Sequence, residues 1–565
     1  MNAFLPLRRL LLAIAVLGFV GNAMAQGSSP DNQLTTDELA SRFLAQATFG
    51  PSPDSLTELR NLNYDYNLWI DRQVAKPATL SAPLAVAALN AGQVTSISNA
   101  INRRARNEVM ISGSDQLRQR VAYALSQIFV ISDNVSTISN AAEGSCSYYD
   151  MLAQNAFGSF RDLLMNVTRH PMMGRFLSHY KNRKANPTTG TRPDENYARE
   201  AMQLFTIGLY NLNVNGSYVT DPSGRQVESY TNDQITEFAR VYTGFTDEDN
   251  NPSAVGTGTG RTDFPRVTAQ NYTQPMKMWE LQHDTGAKTL LIYAGARKSF
   301  LPANQTGLQD VSDAIDNLVE HPNCAPFISR LLIQRLVSSN PSNDYVGRVA
   351  TVFVNNGRGQ RGDMAAVIKA ILLDPEARNL SFITDPEHGK LREPFLRVTH
   401  LLRAFRYSVA SGFLPYNFGS GVTESTLGQY PLSSPSVFNF YLPDYQPPGP
   451  IGNAGLFGPE FQIQTTVFGI TTPNILYNLT QGTVGSFTLD FSPQIALADT
   501  PTALLDNIDQ LLTHGTMSSA TRAIIIKAMS EVTPAMVPSG STIQITRTRL
   551  AVYLTTLSPD FAILK

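Results

Sequence analysis

Apolar residues recur at steps of three and four along most of the chain. Leu117, Val121, Leu125, Ile128 and Ile131 form one such series, Val311, Ile315 and Leu318 a second, and Phe327, Leu331 and Ile333 a less regular third. That spacing lines up one face of a helix. Thr35 followed by Thr36-Asp37-Glu38 supplies helix-start chemistry ahead of Leu39, Phe43 and Leu44. Asp363 is placed to cap a helix over Met364 to Leu373 that Pro375 stops. Leu505, Ile508, Leu511 and Leu512 make another stripe, closed by His514-Gly515, and Leu550 to Leu554 belongs to a last helix before Ser558-Pro559.

Strand signals are few. Lys288 to Tyr293 and Ser541 to Ile545 alternate and are read as short strands, but nothing repeats at the spacing of a sandwich, a barrel or a βαβ unit. The chain is therefore expected to be mainly α, a multi-helix globular body with few short strands and long irregular insertions. Residues 35–410 are read as the main helical domain, with an insertion over 247–275 rich in Gly, Thr, Asn and Pro. Residues 411–458 form an irregular segment rich in aromatics, Pro and Gly, and 459–565 a C-terminal helical region packed on the main domain. No internal repeat is found.

Composition agrees with a folded body. Of 565 residues, 42% are hydrophobic and 16% charged, enough apolar material for a large core and too much for a disordered chain. The 44 Lys and Arg residues face 46 Asp and Glu, a net charge of -2. Without a basic excess to neutralise phosphates, no nucleic acid partner is expected.

The first residues read as an export signal. Arg8 and Arg9 precede an apolar run from Leu10 to Val20, and Ala23-Met24-Ala25 supplies small residues ahead of Gln26. Residues 1–25 are read as a signal peptide and 26–34 as a polar linker. The run is shorter than the ~20 residues that span a bilayer, so no membrane span is expected after cleavage. A periplasmic or secreted protein is the expectation. Cys146 and Cys324, the two cysteines, are structural candidates: they can form one disulfide after export or remain two separate buried thiols.

The common catalytic signatures are missing from the sequence: no G-x-S-x-G elbow, no H-E-x-x-H pair, no Walker loop and no paired C-x-x-C knuckle. Gly256-Thr257-Gly258-Thr259-Gly260 has no strand before it and is interrupted by Pro265, so it is read as part of a flexible insertion.

The most informative stretch is DENYAREAMQLFTIG, Asp194 to Gly208. Asp194 is the candidate cap, Tyr197, Ala201, Leu204 and Phe205 fall on one apolar face, and Gly208 ends the helix. Glu195, Asn196, Arg199, Glu200 and Gln203 share the opposite arc, where Glu195 can pair with Arg199 and Asn196 with Glu200. A second helix opens with the capping-box pattern Thr231-x-x-Gln234, carries Ile235, Phe238, Ala239 and Tyr242 on one face, and closes at Gly244. Glu237 and Arg240 are its polar residues. His283-Asp284-Thr285-Gly286-Ala287-Lys288 follows.

His and Asp side by side suit a metal site, or a proton shuttle in which a carboxylate orients the ring. They equally suit a turn in which Asp284 caps backbone donors and Gly286 supplies an unusual dihedral. A site would draw on His179, Glu200, Glu237, His283 and Asp284, whereas His170, His321 and His400 sit at or near predicted helix ends and are assigned structural roles. The run Ser436 to Tyr445, with Phe438, Phe440 and Tyr441 beside Asn439 and Asp444, suits either sugar stacking or packing onto the helical body.

Taken together, RFLAQATFGPS from Arg42, LRQRVAYALSQIFVIS from Leu117, the Asp194 stretch, YTNDQITEFARVYTGF from Tyr230, HDTGAKTLL from His283, GKLREPFLRVTHLLRAF from Gly389 and the terminal SPDFAIL resemble the bacterial family called domain of unknown function 1800. The resemblance covers nearly the whole chain after the leader. The family pattern opens the Asp194 helix with Asn-Glu-Asn where this chain has Asp194-Glu195-Asn196, and favours Leu where it has Ala201. The resemblance implies an exported, mainly helical protein, often coupled genetically to a family similar to sulfatases. It highlights Glu195, Asn196, Tyr197, Arg199, Glu200, His283, Asp284, Gly286 and Lys288.

Two functions fit these residues. In the first, a metal-assisted hydrolase, a divalent cation on His283, Asp284 and Glu200 activates water, Glu237 acts as base, and Arg199 or Lys288 balances substrate charge. The substrate, small molecule or glycan, is not specified. In the second, a noncatalytic binding or scaffold protein serves a sulfatase-like exported partner, and the same residues form a buried network that fixes helix packing.

Overall fold

A computed structural model describes residues 34–139, 141–248, 264, 270–409, 421–484 and 487–565. Helix accounts for 53% of the described residues, which makes the fold mainly α. Helix α1 (Thr36–Ala47) begins where its capping chemistry places it: the Thr35 hydroxyl accepts from Glu38 N and the Glu38 carboxylate accepts from Thr35 N. Each satisfies a backbone donor that the first turn leaves without a helical partner. Helix α2 (Gln116–Ser126) buries Leu117, Val121 and Leu125. Ile128 and Ile131 continue the same series and are also buried, yet the helix has already ended, so the spacing overran the element by a turn.

The two helices singled out by their polar faces are α3 (Asn196–Gln203) and α4 (Asn232–Val241). The capping box of α4 forms as expected, with Thr231 N donating to Gln234 Oε1 at 2.8 Å. Helix α3 is shorter than its pattern. It stops at Gln203, and Gly208, at φ 72°, closes the following turn. Further along come α5 (Gly307–Glu320), α6 (Cys324–Leu336) and α7 (Met364–Leu373), whose N-cap Asp363 accepts from Ala366 N. Val311, Ala314, Ile315 and Leu318 of α5 are sealed in the core. Each large aliphatic buried this way contributes about 1.5–3 kcal/mol.

Helix α8 (Pro394–Ala404) carries His400 within its length rather than at an end. In the C-terminal region, α9 (Pro501–Leu512) and α10 (Ile543–Leu557) pack on the rest. Ser541 to Ile545 is not a strand: Thr542 accepts from Ile545 N, and the alternating isoleucines are the opening turn of α10. One continuous apolar cluster runs from Ala40 to Phe561, so the C-terminal helices and the main body share a core.

Strands among the described residues pair only in twos, always antiparallel: β1 (Phe245–Thr246) with β2 (Lys277–Met278), β3 (Lys288–Thr289) with β4 (Phe300–Leu301), β5 (Lys390–Leu391) with β8 (Ile563–Leu564), and β6 (Arg406–Val409) with β7 (Phe487–Asp490). Most of the insertion over 247–275 lies outside the described residues, including the glycine run 256–260. Its base is anchored all the same, for Asp247 is buried and accepts from Arg175 at 2.6 Å.

Cys146 and Cys324 are both free and both buried, on separate helices. The disulfide alternative is thereby set aside. Burial pushes the Cys146 thiol up to about 11 and the Cys324 thiol up to about 12. Among the described residues no helix is long and apolar enough to cross a membrane.

Candidate functional site

The His-Asp-x-Gly-x-Lys loop lies between α4 and α5, and its polar atoms resolve into two ion clusters. In the first, Arg240 of α4 donates from Nε to Asp284 Oδ2 at 3.0 Å and from Nη2 to Asp284 Oδ1 at 3.1 Å. Its Nη1 donates to Glu237 Oε1 at 2.8 Å. The fork geometry of the guanidinium matches the carboxylate, the strongest form of this pairing. Glu237 Oε2 accepts from Thr289 N at 2.8 Å, tying α4 to β3. Burial pushes the Asp284 carboxyl up, but Arg240 and the Gly286 N–H outweigh it and hold the group below the ordinary carboxylate range.

Gly286 is not among the glycines with positive φ, so a left-handed dihedral is not the reason for the glycine. A Cβ there would lie 2.6 Å from Arg240 Nη2 and 3.1 Å from Asp284 Oδ1. A side chain at this position would have to displace the Arg240 guanidinium that passes over it.

The second cluster is sealed from solvent. His283 is fully buried, with Nδ1 3.0 Å from Thr243 O and Nε2 3.0 Å from Asp310 Oδ2. Lys288 Nζ donates to Asp310 Oδ2 at 2.6 Å, to Gly286 O at 3.0 Å and to Asp284 O. Three acceptors match the three N–H bonds of an ammonium group. Asp310 carries no signature in a motif, yet it recurs with Ala314 and Leu318 at i, i+4 and i+8, an acid in line with an apolar face of α5. That misplaced charge is the signal that marks it.

Glu200 stands apart from both clusters. It lies on α3, buried rather than on the solvated arc its position in the pattern suggests, and its Oε2 has no hydrogen-bond partner among the described residues. Burial raises its carboxyl to about 7, against a smaller lowering by Arg199. Arg199 is itself half-exposed and pairs with Glu195 at 3.5 Å, the i,i+4 contact expected from the sequence. His179 is also buried, its Nε2 2.8 Å from Thr168 O and its ring 3.9 Å from that of Tyr197. Loss of solvent lowers its pKa to about 4, which keeps the ring neutral.

The structure thus brings His283, Lys288 and Asp310 together, and Asp284, Glu237 and Arg240 together, with Glu200 in neither group. Among the described residues, no three His, Cys, Asp or Glu side chains are grouped so that they could hold a metal ion. Both ring nitrogens of His283 and both oxygens of Asp284 already have protein partners, so this arrangement does not fit a divalent cation. In the aromatic run, Tyr441 is buried with the Arg335 guanidinium 4.6 Å from its ring centre, while Phe438 is exposed.

Fold and site define a mainly α protein in which a buried ionic network joins a loop to two helices. The profile of the family described as Protein of unknown function (DUF1800) matches residues 42–563, and the chain belongs to that family. No curated protein and no solved structure matches it.

Proposed function

We propose that this protein is a noncatalytic binding or scaffold protein, exported to the periplasm or beyond, that serves an exported partner enzyme. The sulfatase-like protein expected from the family resemblance is the first partner to test, and no nucleic acid takes part. The observation that carries this reading is the saturation of the loop: His283, Asp284 and Lys288 spend their polar atoms on Thr243, Arg240, Asp310 and backbone carbonyls. Asp310 Oδ2 takes both His283 and Lys288 while its Oδ1 has no partner among the described residues, and a buried network whose other members are satisfied in this way orders helix packing. His283→Ala should therefore lower the Tm broadly. If it leaves the Tm intact while abolishing a measurable turnover or the binding of a sulfatase-like partner, the residue has a direct role and the scaffold account of the loop fails.

Glu200 supports a second reading, a hydrolase without a metal at this loop. A buried carboxyl titrating near 7 with a free oxygen is suited to general acid–base work. Screening the purified protein against esters, glycosides and sulfate esters, with Glu200→Gln as control, tests it. Turnover that survives the substitution would remove Glu200 from the chemistry.

A further inference from the structure

Four stretches of the family pattern, those at Arg42, Leu117, Gly389 and the C-terminus, take no part in the network above. They meet around a separate cavity lined by Ala45, Arg120, Lys390, Arg392, His400 and Leu564 among others, with room for about one water-sized body. Three cationic side chains line it and no acidic one does.

Of the three, Lys390 alone has a carboxylate within ion-pair distance among the described residues. Its Nζ lies 3.0 Å from Glu460 Oε1 and donates to the carbonyls of Gln334 and Arg335 at 2.9 Å each. Arg120 donates from Nη2 to Arg335 O at 2.6 Å, but its Nε and Nη1 are buried without partners. Glu393 offsets the Arg120 charge through space while its Oε2 accepts from Tyr123, Gln127 and Gln429.

Among the described residues Arg392 has no acidic partner. Its Nη1 donates to His400 Nδ1 at 2.9 Å and to Leu512 O at 3.3 Å, its Nη2 to His514 Nε2 at 2.6 Å, and its Nε has no partner. Both rings accept from a guanidinium and are neutral; burial holds each well below the ordinary histidine value. Desolvation, with Arg397 nearby, brings Arg392 itself down to about 9.

Set against Glu393 and Glu460, the three lining cations leave one positive charge over. Arg397, buried and donating from Nε to Arg392 O, adds a further guanidinium without an acid. An uncompensated buried charge is costly, and a water molecule in the cavity satisfies N–H groups without neutralising anything. We infer that the cavity binds a single halide-sized monovalent anion, of the chloride class, held by the free N–H groups of Arg120 and Arg392.

The test uses the whole purified protein, dialysed into sodium gluconate and then titrated with sodium chloride, bromide or sulfate at matched ionic strength. Chloride and bromide should each raise the Tm to a plateau, sulfate should not, and crystals soaked in bromide should show an anomalous peak beside Arg120 and Arg392. Equal Tm in all four salts, or the same rise with sulfate as with chloride, overturns the inference, as does a bromide-soaked cavity with no anomalous signal. Arg392→Met should abolish the halide response. Because that variant risks misfolding, Ala45→Val, whose smaller addition narrows the cavity beside both guanidinium groups, should fold and lose the response; a folded Ala45→Val protein that keeps the full halide shift also overturns it.

Discussion

Lys288 Nζ lies 2.6 Å from Asp310 Oδ2, with both side chains shut off from solvent. Asp310 Oδ2 also faces His283 Nε2, so one carboxylate on α5 organises both polar ends of the loop. Asp310→Asn keeps the shape and removes the charge, leaving the Lys288 ammonium buried without its counter-ion. Removing one partner of a buried pair costs about 3–5 kcal/mol. Urea unfolding should show a loss of that size, and a loss under about 1 kcal/mol would mean the cluster does not hold the loop.

The Arg240–Asp284 fork makes a different demand, on Gly286. Gly286→Ala should destabilise by about 1–2 kcal/mol, because the new methyl group displaces a guanidinium already committed to two carboxylates. Adding Arg240→Ala should cancel most of the alanine penalty. A double-mutant cycle measures this coupling, expected to be about 1 kcal/mol; purely additive effects would place the strain elsewhere.

Glu200 predicts a pH dependence with a definite sign. Burial raises its carboxyl from the ordinary 4.5 to about 7. Over that window the native state holds a proton that the unfolded chain releases, so stability is greatest below the ordinary value and falls as pH rises towards about 7. Glu200→Gln should flatten that slope and exceed the parent by about 1–2 kcal/mol at pH 8, allowing for partial solvation of the carboxyl. Tm measured from pH 5 to pH 8 checks it, and a parental slope retained by the variant rejects the assignment.

Cys146 and Cys324 should behave as inert core residues. Burial and raised thiol pKa values both suppress the thiolate, the reactive form. The native protein should resist a thiol reagent near pH 8, label at both positions once denatured, and keep its Tm in a reducing agent. Rapid labelling of either cysteine in the folded state would contradict the burial.

Much of the fold is local and was legible along the chain. Thr35 with Glu38, Thr231 with Gln234, and Asp363 before Met364 each start a helix through contacts three residues away, and the strand read at Lys288 forms, though only over Lys288–Thr289. Two expectations from the pattern do not hold, one overridden by tertiary packing and one by a local cap. Ile128 and Ile131 stay buried without staying helical, and Ser541 to Ile545 follows its Thr542 cap into a helix instead of pairing as a strand. The polar site was half legible. Its residue types stand out along the chain, but Arg240 reads only as a polar residue of its helix, and Asp310 belongs to no motif.

The sequence by itself determined a helical body, the starts of its helices and which stretches carry unusual polar residues, because caps and apolar stripes act within a turn or two of chain. Only the tertiary structure decided which charges meet. Lys288 finds Asp310, Arg240 finds Asp284, and Arg392 is left without an acid, since periodicity sets the angle at which a side chain leaves its helix but not which distant helix packs there.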